Sequence, residues 1–288
     1  MLTLILIIAA CAAAPLYATH VAGTDPFRSN PSGSVAGQPV LAENTAGLGL
    51  GVTPIGPGWR GAYLLGADAE GRDVAARLLY GGRNSLLIAG SATLLCLALA
   101  LLTGVLAGFL GSLTDTILAG LLDLLWAFPV YLLAISLSIV LISQGLQLGP
   151  VTVEADSLAL PIVILALVFV PYVARPIRAE VIALRGRDFV EAARATGGTR
   201  WHILRRHILP HVGPAALGFA PVVAAMTLLT EAALSVLGIG VQPPAASWGT
   251  LIGDGQTLIY SRPVVAIAPG LAVVATVLAL NVLSPDRG

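Results

Sequence analysis

His207 and His211 stand four residues apart, the spacing that puts two imidazoles on one face of a helix and lets them share a metal ion. Pro210 lies between them, and a proline there is expected to break the helix that would align the pair. His20 and His202 complete the histidines, and none falls in an H-E-x-x-H or similar ligand spacing, so no metal site is expected. No G-x-S-x-G or comparable nucleophile setting occurs either, which points away from an enzyme. Every one of the fifteen basic residues is Arg; there is no Lys. A Walker A loop reaches the phosphates through its Lys, so any ATP that drives this protein is expected to be hydrolysed by another chain. Cys11 and Cys96 lie inside apolar runs, where a thiol behaves as a small hydrophobe rather than a bridge.

The elements that carry these residues are apolar. Of 288 residues, 57% are hydrophobic and 10% charged, with mean hydropathy +0.90. A soluble domain carries about 25% charged residues. A chain so poor in charge cannot cover a folded surface with solvated groups, so its outside must face lipid. Fifteen bases against fifteen acids leave no net charge, which argues against nucleic acid as a partner. A membrane helix needs about 20 mostly apolar residues. Six segments qualify or nearly do: 2–17, 85–110, 116–142, 158–173, 215–237 and 263–282. The expected fold is therefore all-α, a single polytopic domain over residues 1–288. Ile8-Ala9-Ala10-Cys11 has the form of a bacterial lipoprotein cleavage site, but the short segment before it lacks the basic start of a signal peptide.

Two hydrophilic stretches interrupt the pattern. Residues 18–83 are rich in Gly, Pro, Asn and Ser, and their five Arg are matched by five acids. Residues 175–213 hold eight Arg against Glu180, Asp188 and Glu191. Cytoplasmic loops carry the excess of basic residues, which places 175–213 inside, between spans four and five. Counting outward from it puts both termini inside and 18–83 outside. Gly104 and Gly108 make a small-xxx-small pair in the second span, read as helix–helix contact rather than pore lining. Pro129 in the third span and Pro171 at the end of the fourth predict local kinks.

Within the basic loop, Gly186 ends one helical run, and Asp188 followed by Glu191 has the form of a capping box. Gly197-Gly198 supplies a C-cap, so a helix of two to three turns is expected. A second short helix follows, with Thr199 as N-cap and Pro210 as its stop. A helix so short is marginal alone in water and must dock on something. Its own interfacial surface and a cytoplasmic partner are equally open on these residues.

Here the motifs carry a resemblance. Glu191-Ala192-Ala193, then Gly197, then Leu209-Pro210 resembles the EAA loop of ABC importer permeases, E-A-A-x3-G-x9-I-x-L-P, with His207 where the general pattern has Ile. Arg206-His207-Ile208-Leu209-Pro210 is similar to the dipeptide/oligopeptide/nickel branch of the binding-protein-dependent transport permeases. Gly66-Ala67-Asp68 through Gly71-Arg72-Asp73 to Arg83 resembles that branch's G-T-D-x-x-G-R-D-x-x-S-R segment, with Ala67 and Ala76 replacing its Thr and Ser. Glu231 through Ser235, Gly238, Gly240 and Gln242-Pro243-Pro244 to Trp248 resembles its outer loop. The resemblance implies a bacterial inner-membrane, multi-pass permease for short peptides, with nickel or another small solute as a variation. It implies as partners a homologous second permease, two ATPase subunits holding the ATP and Mg²⁺, and an extracytoplasmic substrate-binding protein, with no cofactor in this chain. It also implies that Asp188, Glu191, Ala192, Ala193, Gly197, Leu209 and Pro210 form the contact with the ATPase. An ion-coupled secondary transporter is the rival, but inverted repeats and clustered midplane polar groups are not visible.

Asp68, Glu70, Arg72 and Asp73, with Gln242 and Trp248, then become candidates for binding-protein docking or gating. The plainer reading of the first four is a locally paired, solvated helix start, and of Trp248 an interfacial anchor. Asp123 and Glu231 are the acids within or near the hydrocarbon, functional candidates by default, with structural pairing preferred to substrate contact.

Overall fold

The computed structural model of the chain describes residues 1–43, 52–58, 61–144, 146–148, 151–154 and 156–283. The part of the 18–83 segment at 44–51 and 59–60, and the C-terminal residues 284–288, lie outside the described residues. The chain opens with α1 (Leu2–Ala12) and the single turn α2 (Ala14–Leu16), which runs into a wide π-turn, Tyr17–Ala22. Among the described residues, three two-stranded antiparallel ribbons stand outside the helices: β1 (Ser34–Val35) with β2 (Gln38–Pro39), β3 (Leu41–Glu43) with β4 (Val52–Pro54), and β5 (Leu146–Leu148) with β6 (Val151–Val153). The remaining helices are α3 (Val74–Leu110), α4 (Ser112–Ala127), α5 (Val130–Gln144), α6 (Ala159–Arg185), α7 (Asp188–Ala195), α8 (Arg200–Ile203), α9 (Leu209–Leu217), α10 (Ala220–Val236), α11 (Trp248–Gln256) and α12 (Val264–Val282).

By length and composition α3, α6 and α12 can each cross a membrane alone. Three bent pairs bring the number to six if each is one span: Leu2–Ala12 with Ala14–Ala22 at 48°, Ser112–Ala127 with Val130–Leu141 at 93°, and Arg200–Leu217 with Ala220–Val236 at 45°. The apolar side chains these helices expose, among them Leu94 and Leu102 on α3 and Leu271 and Leu278 on α12, are what a lipid-facing surface needs.

The core is the seam between α3 and α6. Ile88, Ala92, Cys96 and Ala100 of α3 cluster with Ile164, Leu165, Val173 and Ile177 of α6. Gly104 and Gly108 do make the helix contact expected of them. A Cβ on Gly104 would lie 2.7 Å from the Ala174 carbonyl oxygen, and one on Gly108 2.8 Å from Val181 Cβ. Only glycine allows so close an approach.

The prolines behave differently from expectation. At Pro129 the structure has a corner rather than a kink. Phe128, ahead of the proline, is forced out of the helical region to φ −89°, ψ 137°, and α4 and α5 meet nearly at right angles. Pro171 does not end its span, since α6 runs through it and through Pro176 to Arg185. Neighbouring helices can re-satisfy the backbone groups that a proline frees. The first part of the 175–213 stretch is thus helix continuing from the span, and the true loop begins at Gly186.

Candidate functional site

Gly186 caps α6, and α7 starts two residues later. Its N-cap is Arg187, extended at φ −79°, ψ 146°, and neither acid makes a side-chain cap. The expected capping box of Asp188 and Glu191 is therefore absent. Asp188 is already helical, whereas a capping residue must stand just outside the helix. Both acids lie in the first turn, where the helix dipole favours negative charge. The C-terminal expectation holds in detail. Gly197 takes φ +85°, its N–H donates to Arg194 O at 3.0 Å, and Gly198 N–H donates to Ala193 O at 2.9 Å. This pair of bonds is a Schellman closure.

Of α7 only Val190 is buried, and Ala193 is half-buried. Asp188, Phe189, Glu191, Ala192 and Arg194 are exposed. The small residues Ala192, Ala193, Gly197 and Gly198, with Phe189 and His207 at the rim, line a surface cavity of about 570 Å³. Thr199 caps α8 as expected, its hydroxyl accepting from His202 N–H at 3.2 Å. Pro210 does not stop the chain. A π-turn over Leu204–Ile208 leads into α9, with Pro210 as the second residue of α9. Leu209 is half-buried against the core, whereas Pro210 is exposed. The helix is therefore continuous past His207 and His211, with Phe189 stacked on His211 at 5.5 Å and His211 Nδ1 held 2.9 Å from His207 O.

At the N-terminal end of α3, a helix about 55 Å long at 1.5 Å per residue, the other candidates form a buried ion cluster. Asp73 caps α3, accepting from Ala75 and Ala76 N–H at 2.9 and 3.1 Å and from Tyr63 N–H at 2.7 Å. Asp68 accepts from the Arg72 side chain at 2.7 Å and from the Glu70 and Arg72 N–H groups at 3.0 Å. Arg72 and Arg77 each donate to the same oxygen of Asp254, on α11, at 3.1 Å. Arg77 Nε makes no hydrogen bond although Asp68 Oδ2 lies 3.4 Å away; it is held by charge, not by directed bonding. Burial raises the pKa of Asp254, against the pull of Arg77 and Arg72.

These residues are paired as the plainer reading had it, but they are not solvated. Asp68, Arg72 and Asp73 are buried, and only Glu70 turns outward, so three of the four are no docking surface. Trp248 is corrected too. It is 1% exposed, Nε1 donates to Leu78 O at 3.0 Å, and its ring packs on Gly82, so it is a core residue and not an interfacial anchor. Gln242 is half-buried and folds the loop after α10, donating to Gly238 and Gly240 carbonyls at 3.2 and 3.0 Å. That loop, Arg72, Arg77 and Asp254 line a cavity of about 480 Å³. Asp123 is exposed and paired with Arg175, whose guanidinium stands 4.8 Å over Trp126. Glu231 is fully buried and held by Ser85 and Ser235 hydroxyls at 3.0 and 2.7 Å.

A family model described as the binding-protein-dependent transport system inner membrane component matches residues 100–285. The chain belongs to this family. Its curated relatives agree. It is 35% identical to the glutathione transport system permease protein GsiD of Pectobacterium atrosepticum over 77% of this chain and 69% of that one. It is 36% identical to a putative peptide transport system permease protein of Brucella suis biovar 1, over 77% and 70%. It is 33% identical to the dipeptide transport system permease protein DppC of Alkalihalophilus pseudofirmus, over 77% and 68%. The fold is similar to that of a chain of the inward-facing MetNI methionine ABC transporter, with TM-score 0.55 and 19% identity over 72% of this chain and 92% of that one. This permease is therefore a membrane subunit of an ABC importer. Membership implies, in general, ATPase subunits, a substrate-binding protein and a second permease chain.

Sequence reasoning missed Asp254, Arg77, Ser85 and Ser235 as structural partners of the candidates. Asp254 had a signal: it is the only charged residue between Glu231 and Arg262. The serines had none, because a hydroxyl in a helix is most often bonded to its own backbone.

Proposed function

We propose that this permease passes short peptides, and that α7 is the element its ATPase partner grips. The observation that carries the second part is the exposure of α7. An eight-residue helix with a single buried side chain, closed by a glycine at φ +85°, presents small residues to the surface beside a cavity. A helix of that length gains most of its stability from what it packs against. Its neighbours within the chain fully bury only Val190 and leave most of its surface open. The excess of arginine over 175–213 supports a cytoplasmic side for this loop, with both termini inside and 18–83 outside. The peptide substrate is supported by relatives named for glutathione, peptides and dipeptides. The assembly is then two permeases, two ATPase subunits holding ATP and Mg²⁺, and an external binding protein. ATP-driven closure of the ATPase pair moves α7, and the spans tilt to open the pathway in turn to each side.

The test is Glu191→Arg, which puts opposite charge and bulk on the exposed face of α7. ATP-coupled uptake of labelled peptide is expected to be lost while the permease still accumulates in the membrane. Normal uptake in that variant would overturn the assignment of α7, and uptake of nickel but not peptide by the wild type would overturn the substrate.

A further inference from the structure

Among the described residues no arginine pairs with Glu231. It is fully buried in α10, and among the described residues its carboxyl is hydrogen-bonded to Ser85 on α3 and Ser235 one turn along α10, with Ser247 at the start of α11 close by. Each of the first two hydroxyls is also bonded on its other side. Ser85 Oγ accepts from Trp248 N–H at 3.0 Å, and Ser235 Oγ accepts from Val241 N–H at 3.1 Å. A backbone N–H can only donate, and a serine has one proton to give. Each serine therefore links Glu231 on one side to a backbone N–H on the other, having one proton and two lone pairs to share between them.

The two N–H groups so held are that of Val241, in the middle of the 237–247 loop that joins α10 to α11, and that of Trp248, the first residue of α11. Close packing follows the same line. A Cβ on Gly240 would collide with Ser235, and one on Gly249 would stand 2.5 Å from the Ala232 carbonyl oxygen. The loop they anchor is one wall of the cavity that Arg72, Arg77 and Asp254 complete.

We infer that Glu231 is a positioning residue for transport: through Ser85 and Ser235 it holds the middle and the exit of the 237–247 loop on α3 and α10, in the shape that receives the substrate-loaded binding protein. The anchoring stands on the hydrogen bonds alone. Its bearing on delivery rests on the reading of this face as the outer one.

A cysteine at Val241 reports on the loop. Val241 is 3% exposed, and Cys11 and Cys96 are both buried, so a membrane-impermeant maleimide has no competing accessible thiol. In the Val241→Cys background, Glu231→Gln or Ser235→Ala should raise the labelling rate about fivefold, the factor that net loss of one hydrogen bond gives an opening equilibrium. The same substitutions in the native chain should raise the concentration of loaded binding protein needed for half-maximal uptake and leave maximal uptake nearly unchanged. Unchanged labelling in both variants overturns the anchoring. Faster labelling with unchanged half-saturation overturns the positioning role and leaves a structural brace. If Glu231→Gln does not accumulate, Ser235→Ala, which keeps the carboxylate, decides by the same readouts. Failure of the importer reading would instead abolish dependence on the binding protein in the unaltered permease.

Discussion

Arg77 Nη2 lies 3.1 Å from Asp254 Oδ2, joining the first turn of α3 to α11 across 177 positions of sequence. Arg72 donates to the same oxygen, so one carboxylate gathers two guanidinium groups at the end of the bundle where α3 begins. The strength of this arrangement depends on how far each member is withdrawn from water.

Asp68 is the inner acid and Asp254 the outer one, with side chains 3% and 39% exposed. Asp68→Asn should therefore destabilise the permease more than Asp254→Asn. Leaving a buried guanidinium without its charge partner costs about 3–5 kcal/mol, and water can replace part of what Asp254 supplies. Thermal unfolding of the two variants in detergent would measure the order. Equal melting temperatures would show that burial does not grade the cluster.

Gly104 and Gly90 lie in the same helix with opposite surroundings. A Cβ at Gly104 would meet the backbone of α6 at 2.7 Å, whereas one at Gly90 meets nothing within 4 Å. Gly104→Ala should force α3 and α6 apart and cost about 1–3 kcal/mol as overpacking. Gly90→Ala should be neutral or stabilising by up to about 1 kcal/mol through helix propensity. Melting temperatures of the pair decide the point.

Gly197 has open space around its missing side chain but a left-handed backbone at φ +85°. Gly197→Ala therefore adds strain of about 1–2 kcal/mol with no clash. The strain falls on the exposed end of α7, so amide exchange over residues 188–198 should quicken while the spans keep their protection. Hydrogen-exchange mass spectrometry would register the change.

Trp248 fills the space between Gly82 and α10 and donates to Leu78 O at 3.0 Å. Trp248→Ala should cost about 3–5 kcal/mol, the range for emptying a buried aromatic site. An interfacial anchor would lose far less, and the same melting assay separates the two.

The span pattern was legible because twenty apolar residues in a row have few options: backbone groups in lipid must be bonded within the segment, and a helix does that locally. The glycine closure of α7 was legible for a similar reason, since Gly197-Gly198 at the end of a short polar run meets a local backbone need. The Gly104–Gly108 seam also followed from spacing on one face. The motif on α7 carried the family as well, because it is written in consecutive residues.

What the tertiary structure alone decided is where the polar side chains at the Asp73 end of α3 point. Arg72 and Asp73 could as well have faced water as Asp254, and Trp248 could have faced headgroups. Glu231 could have met an arginine instead of Ser85, 146 positions away. Such choices depend on which distant segments the packing of α3, α10 and α11 brings within 3 Å of one another. Local propensity and spacing reach only a turn or two along the chain, whereas the cost of an unpaired buried charge is set by neighbours that no window of sequence contains.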